Sequence, residues 1–69
     1  MEDKQKICDL LCKTLQATRN QDGLIDIHYD RSRETATLYY KNGQIVVNVA
    51  CDSGIAMIQD IMKEVWANV

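Results

Sequence analysis

The chain contains no proline and no phenylalanine, and only three glycines, one tryptophan and one histidine. No linker, internal repeat or low-complexity stretch divides its 69 residues, which therefore make one domain. Basic residues are not in excess. Eight Lys and Arg stand against ten Asp and Glu, a net charge of −2, with a pI of about 5.1. This balance argues against the basic face by which proteins hold nucleic acid, and it offers no attraction to an anionic membrane. No apolar run approaches the ~20 residues of a membrane helix. The opening Met-Glu-Asp-Lys-Gln-Lys mixes charges where a secretory leader would not. An odd number of cysteines, three, does not suit a disulfide framework, so free thiols in a reducing cytoplasm are expected.

What is present is ordinary for a globular domain: 46% apolar and 26% charged residues. A domain this small buries only roughly 60% of its unfolded surface, so it depends on good packing or on association. The sharpest local signal is Asn42-Gly43, set between two alternating runs, Thr35–Lys41 and Gln44–Ala50. Asn-Gly tolerates the positive φ angles of a two-residue primed turn, which fixes a hairpin and its register. That turn would set Lys41 opposite Gln44, Tyr40 opposite Ile45, Leu38 opposite Val47 and Ala36 opposite Val49. The apolar residues then share one face of the sheet, in agreement with the alternation.

Residues 3–19 read as a helix with Ile7, Leu10, Leu11, Thr14, Leu15 and Thr18 as its buried stripe. Asn20 or Gly23 is suited to close it. Residues 24–30 alternate as a strand, with Ile25, Ile27 and Tyr29 on one side and Asp26, His28 and Asp30 on the other. A polar turn, Arg31-Ser32-Arg33-Glu34, leads into strands over 35–41 and 44–50. A second helix follows, capped by Asp52 or Ser53. Its expected core stripe is Ile55, Ile58, Ile61, Met62, Val65 and Val69, with Met57 and Trp66 at the margins. The expected fold is α+β: an α-β-β-β-α chain in two layers, a three-stranded antiparallel meander with both helices on one face. The other sheet face is left open, carrying Asp26, His28, Thr37, Tyr39, Val46 and Asn48.

Few residues carry a chemical signal. Histidine is the side chain best suited to act as a general base at neutral pH, and His28 is the one histidine here, but no nucleophile or orienting partner stands beside it in sequence; a solvated histidine is the simpler reading. Cys8 and Cys12, at i and i+4, could join Cys51 and His28 around zinc. Structural zinc sites use two close ligand pairs, and here there is one, so no metal and no cofactor are expected. Cys8 is better read as a small core residue and Cys12 as lying near the polar margin. Cys51-Asp52-Ser53-Gly54 has what a helix cap needs, and no basic residue or histidine stands near it to mark a nucleophilic cysteine. Arg31 and Arg33 are balanced locally by Asp30 and Glu34. Tyr39 and Val46, expected to pair across the open face, and Met57 with Trp66 on the second helix are the residues suited to contact a partner.

The α-β-β-β-α order and the length resemble the double-stranded-RNA-binding domain, and also the HicA-type toxins, which cut RNA with a strand histidine. Both resemblances are topological and span the whole chain. The first would imply RNA contacts from lysines at the start of the second helix, where this chain has Asp52-Ser53-Gly54-Ile55-Ala56-Met57. The second would make His28 the base, without that family's Gly-Ser-His pattern. The expectation is therefore a non-enzymatic interaction or accessory protein of bacterial or phage origin. It would self-associate or bind a protein partner through His28, Tyr39 and Val46 or through Met57 and Trp66, and would bind neither nucleic acid nor membrane. The alternative is an RNA-acting module with His28 as base.

Overall fold

The structure, a computed structural model, describes residues 3–18 and 23–67. The elements run α1 (Lys4–Gln16), β1 (Leu24–Asp30), β2 (Thr35–Tyr40), β3 (Gly43–Asn48) and α2 (Gly54–Ala67). The strands form one antiparallel sheet in the order β1-β2-β3. One continuous core joins Cys8, Cys12 and Leu15 of α1 to Leu24, Ile27, Ala36, Leu38 and Val47 of the sheet, and to Met57, Ile61 and Val65 of α2. Both helices therefore cover the same sheet face, and the α+β two-layer expectation is met.

α1 begins at Asp3, whose carboxylate Oδ1 accepts the Lys6 N–H at 3.0 Å and so satisfies a backbone donor of the first turn. The helix ends three residues before the expected Arg19, in a tight turn where Ala17 N–H reaches both Lys13 O and Thr14 O. The proposed closing residue Asn20 lies outside the described residues. The buried row also differs from expectation. Cys8, Cys12 and Leu15 point into the core, Ile7 and Leu11 are half-buried, and Leu10 and Thr14 face solvent. Cys12 is thus a core residue and not a marginal one. Small side chains on this row let the α1 backbone approach β1 closely, which larger aliphatic side chains would prevent.

β1 departs from strict alternation. Leu24 pairs with Tyr40 and Asp26 with Tyr39, which leaves Ile25 as an extra residue in a bulge. The core side of β1 is therefore Leu24, Ile27 and Tyr29, while Ile25 is exposed. In the turn after β1, Asp30 Oδ1 accepts Ser32 N–H at 2.9 Å and Arg33 N–H at 3.2 Å, and Glu34 takes φ 53°. Arg31 and Arg33 are both exposed.

The hairpin register is shifted by two residues from the expected one. Tyr40 pairs with Gly43, Leu38 with Ile45, Thr37 with Val46 and Ala36 with Val47. The turn is Lys41-Asn42, and neither residue has positive φ, so it is not the primed turn; Gly43 takes the unusual φ instead, +157°. Because side chains alternate with period two, a shift of two leaves every residue on its expected face. Tyr39 and Val46 remain on the open face, but as diagonal neighbours: Tyr39 faces Gln44 and Val46 faces Thr37.

Ser53 caps α2, with Oγ accepting Ala56 N–H at 3.2 Å. The buried row is Gly54, Met57, Ile61 and Val65. Met57 is wholly enclosed, with 0% exposure, so its expected place at a surface margin is corrected. Gly54, at the start of α2, is buried on the same row as Met57. Ile55 and Met62, expected inside, are exposed instead.

Candidate interaction surfaces

The two edges of the sheet are built differently. In β1 the backbone groups that point away from β2 belong to Ile27 and Tyr29, and α1 takes the Ile27 carbonyl and the Tyr29 N–H. Gln5 Nε2 donates to Ile27 O at 3.2 Å, and Gln5 Oε1 accepts Tyr29 N–H at 2.8 Å. One amide side chain thus does what a neighbouring strand would do. At the bulge, Gln16 Nε2 donates to Leu24 O at 3.0 Å and to Ile25 O at 3.3 Å, and Cys12 Sγ reaches Ile25 O at 3.8 Å.

β3 has a hydrogen-bonded neighbour on one side only. Val49 N–H donates to Glu34 O at 3.0 Å, which sets the alternation. Gly43, Ile45 and Val47 turn their backbone groups to β2, and Gln44, Val46 and Asn48 turn theirs outward. Among the described residues nothing covers this second row. The stretch 42–51 contains no charged residue, so the edge also lacks the lysines or acids with which sheet proteins commonly block strand addition.

Beside this edge runs an apolar row on α2. Ile55, Met62 and Trp66 are 71%, 38% and 77% exposed, with half-buried Ile58 between them. At 100° per residue these four lie on one flank of the helix, next to the buried row. Asp60 lies on the opposite flank. There Lys4 of α1 donates from Nζ to Asp52 O at 2.7 Å, and Lys4 and Lys63 both act on the Asp52 carboxyl. The Asp60 flank is therefore the side next to α1. The Ile55–Trp66 row lies on the flank turned away from α1, on the helix that packs on β3.

The open sheet face carries three cross-strand rows: Asp26–Tyr39–Gln44, His28–Thr37–Val46 and Asp30–Thr35–Asn48. Val46 is 56% exposed, Tyr39 and His28 are exposed, and Thr37 is enclosed at the centre. His28 sits opposite Thr37, which offers neither a nucleophile activated by a second group nor a carboxylate.

Two further clusters have clear electrostatics. Burial raises the Cys8 thiol to about 11, helped by the nearby charges of Asp9 and Asp26. Burial raises Cys12 as well. Both are thiols at neutral pH, enclosed among aliphatic side chains. Cys51 is exposed, at φ 64°, in a turn closed by Asp52 N–H to Val49 O at 3.1 Å. Asp52 is raised, first by hydrogen bonding with the Asp60 carboxyl, then by desolvation and by the charge of Asp60, against the lowering effect of Lys4 and Lys63. Its Oδ2 is enclosed without a partner among the described residues. Lys4 also lies 5.5 Å above the Tyr29 ring, so one side chain joins α1, β1 and the approach to α2.

Of the residues expected to contact a partner, His28, Tyr39 and Val46 share the open face and Trp66 lies on the outer flank of α2. Met57 is in the core. Ile55 and Met62, expected in the core stripe, join Trp66 instead: their spacing to it, i, i+7 and i+11, marks one side of the helix. The sequence reading passed over Gln5 and Gln16, whose spacing predicts nothing until the edge they cover is known. Among the described residues no three His, Cys, Asp or Glu side chains gather as a metal-binding group, and no helix is long and apolar enough to cross a membrane. No family model, curated protein or solved structure matches this chain.

Proposed function

We propose that the protein is a non-enzymatic, cytoplasmic interaction module that docks through the flank formed by α2 and the β3 edge. The observation that carries this reading is the row Ile55, Met62 and Trp66, large apolar side chains left outside a domain that has few to spare. Contiguous apolar surface rimmed by polar groups is the usual mark of a docking site, and tryptophan is among the residues most enriched at interface centres. The open face with Tyr39, Val46 and His28 is the smaller candidate. Its apolar content is two side chains among carboxylates and amides.

The test compares capture by the wild-type protein with capture by Trp66→Ser, Ile55→Ser and Tyr39→Ser variants, using extract from the native host. The reading expects a band lost with either α2 variant and kept with Tyr39→Ser. A band lost only with Tyr39→Ser would move the site to the open face, and one indifferent to all three would end the proposal. A low-salt gel shift with duplex RNA is the matching control, since phosphate binding weakens steeply with salt and is strongest there. Retardation would revive the His28 reading.

A further inference from the structure

We infer that a second copy of this chain occupies the free edge of β3, pairing β3 with β3 across a two-fold axis at Val46. The inference rests on the α2–β3 flank being the docking surface and names its occupant. The outward backbone groups of β3 belong to Gln44, Val46 and Asn48, which are symmetric about Val46. In an antiparallel pair centred there, Val46 meets Val46 of the second copy, Gln44 meets its Asn48, and each pair exchanges both N–H···O=C bonds. The side chains match as well. Two carboxamides stand opposite each other at both ends of the seam, and two exposed valines meet at its centre. On the other face Ile45, half-buried at the rim of the core, falls opposite Val47.

Charge points to self-pairing. The segment 42–51 has no charged residue, so two copies align without like-charge repulsion, and a charged foreign strand finds nothing here to answer its charge. The helices add a second layer. A two-fold axis perpendicular to the sheet keeps both copies the same way up, so the two α2 helices lie on the same face of a continuous six-stranded sheet. Their outer rows, Ile55, Ile58, Met62 and Trp66, then face each other over the seam. Free strand edge and apolar row lie on one side of the molecule, and a single contact covers both.

The seam is short. β3 has six residues, which at about 3.4 Å each span ~20 Å. A seam this short belongs with the smaller specific interfaces, roughly 1,200 Å², so the expected dimer is a weak one.

Sedimentation velocity over about 1–200 µM reads the result. The wild type is expected to pass from monomer to dimer within that range. Val46→Lys puts a lysine from each copy at the axis, and Val46→Pro removes an N–H that β2 does not use; either is expected to raise the dissociation constant at least about tenfold. Far-ultraviolet circular dichroism should stay unchanged, because the Val46 side chain is largely solvent-exposed. Trp66→Ser should weaken the dimer as well. A wild type that stays monomeric across the range, or a dimer indifferent to both Val46 variants, overturns the proposal. If that monomer still loses capture of a host protein with Trp66→Ser, the flank remains a docking site and only the second copy is excluded.

Discussion

The two edge strands of one small sheet meet the same physical demand in different ways. β1 presents Ile27 O and Tyr29 N–H outward, and Gln5 answers both; β3 presents the groups of Gln44, Val46 and Asn48, and nothing in the described chain answers them. Backbone polar groups need partners, and water is the partner left to an uncovered edge. The difference shows that a helix laid along a strand closes it with two or three well-placed amides, whereas a helix set above a strand leaves the edge available. α1 does the first and α2 the second.

The comparison can be tested from the largest effect down. Ile27→Ala, at a wholly enclosed position of β1, should cost about 2–5 kcal/mol by urea unfolding. Val46→Ala at the exposed middle of β3 should cost no more than ~0.5 kcal/mol in the monomer. Similar losses at both positions would mean that the edges are equally structural.

Gln5→Ala removes both hydrogen bonds from the β1 edge and should cost about 1–3 kcal/mol, because Ile27 O and Tyr29 N–H lose their partner in a partly buried place. Gln5→Glu keeps the acceptor for Tyr29 N–H and loses the donor to Ile27 O, so it should fall between.

Amide hydrogen exchange gives the same contrast without mutation. At low protein concentration the Tyr29 amide should be protected and the Val46 amide fast, and raising the concentration should slow Val46 alone. Equal protection of both at every concentration would contradict an uncovered β3 edge.

The smallest effect concerns pH. A carboxyl raised in the folded state stabilises most where it is protonated, and that contribution is lost as pH rises through the raised value. Asp60→Asn, which removes the like charge beside Asp52, should therefore raise the melting temperature slightly at about pH 7 and leave it unchanged well below the ordinary carboxylate range of about 4. A drop at neutral pH would show that Asp60 serves Lys4 or Lys63 more than it disturbs Asp52.

The element order and the sorting of side chains in β2 and β3 were legible because they depend on parity, and alternation carries parity however the turn is made. The register was not legible. Asn42-Gly43 favours a primed turn by local propensity, while the structure turns at Lys41-Asn42 and lets only Gly43 take an unusual φ. The Ile25 bulge was hidden for a related reason: Leu24-Ile25 offers two apolar residues in a row, and only the core settles that Leu24 is the buried one. Helix faces were read about one residue out of phase. In both helices the buried row includes small residues, Cys8 and Cys12 in α1 and Gly54 in α2, which side-chain size alone does not mark as core. The candidate surfaces suffered accordingly. Tyr39, Val46, His28 and Trp66 are where a partner could reach them, and Met57 is not.

The cysteines of α1 and the turn before α2 have a practical consequence. Cys8 and Cys12 are enclosed and held as thiols well above neutral pH, while Cys51 projects from its turn into solvent. To a thiol reagent at neutral pH the native molecule is therefore a single-thiol protein. A probe attached at Cys51 sits just beyond the end of β3, and the separation between two such probes would report directly on how two copies are arranged.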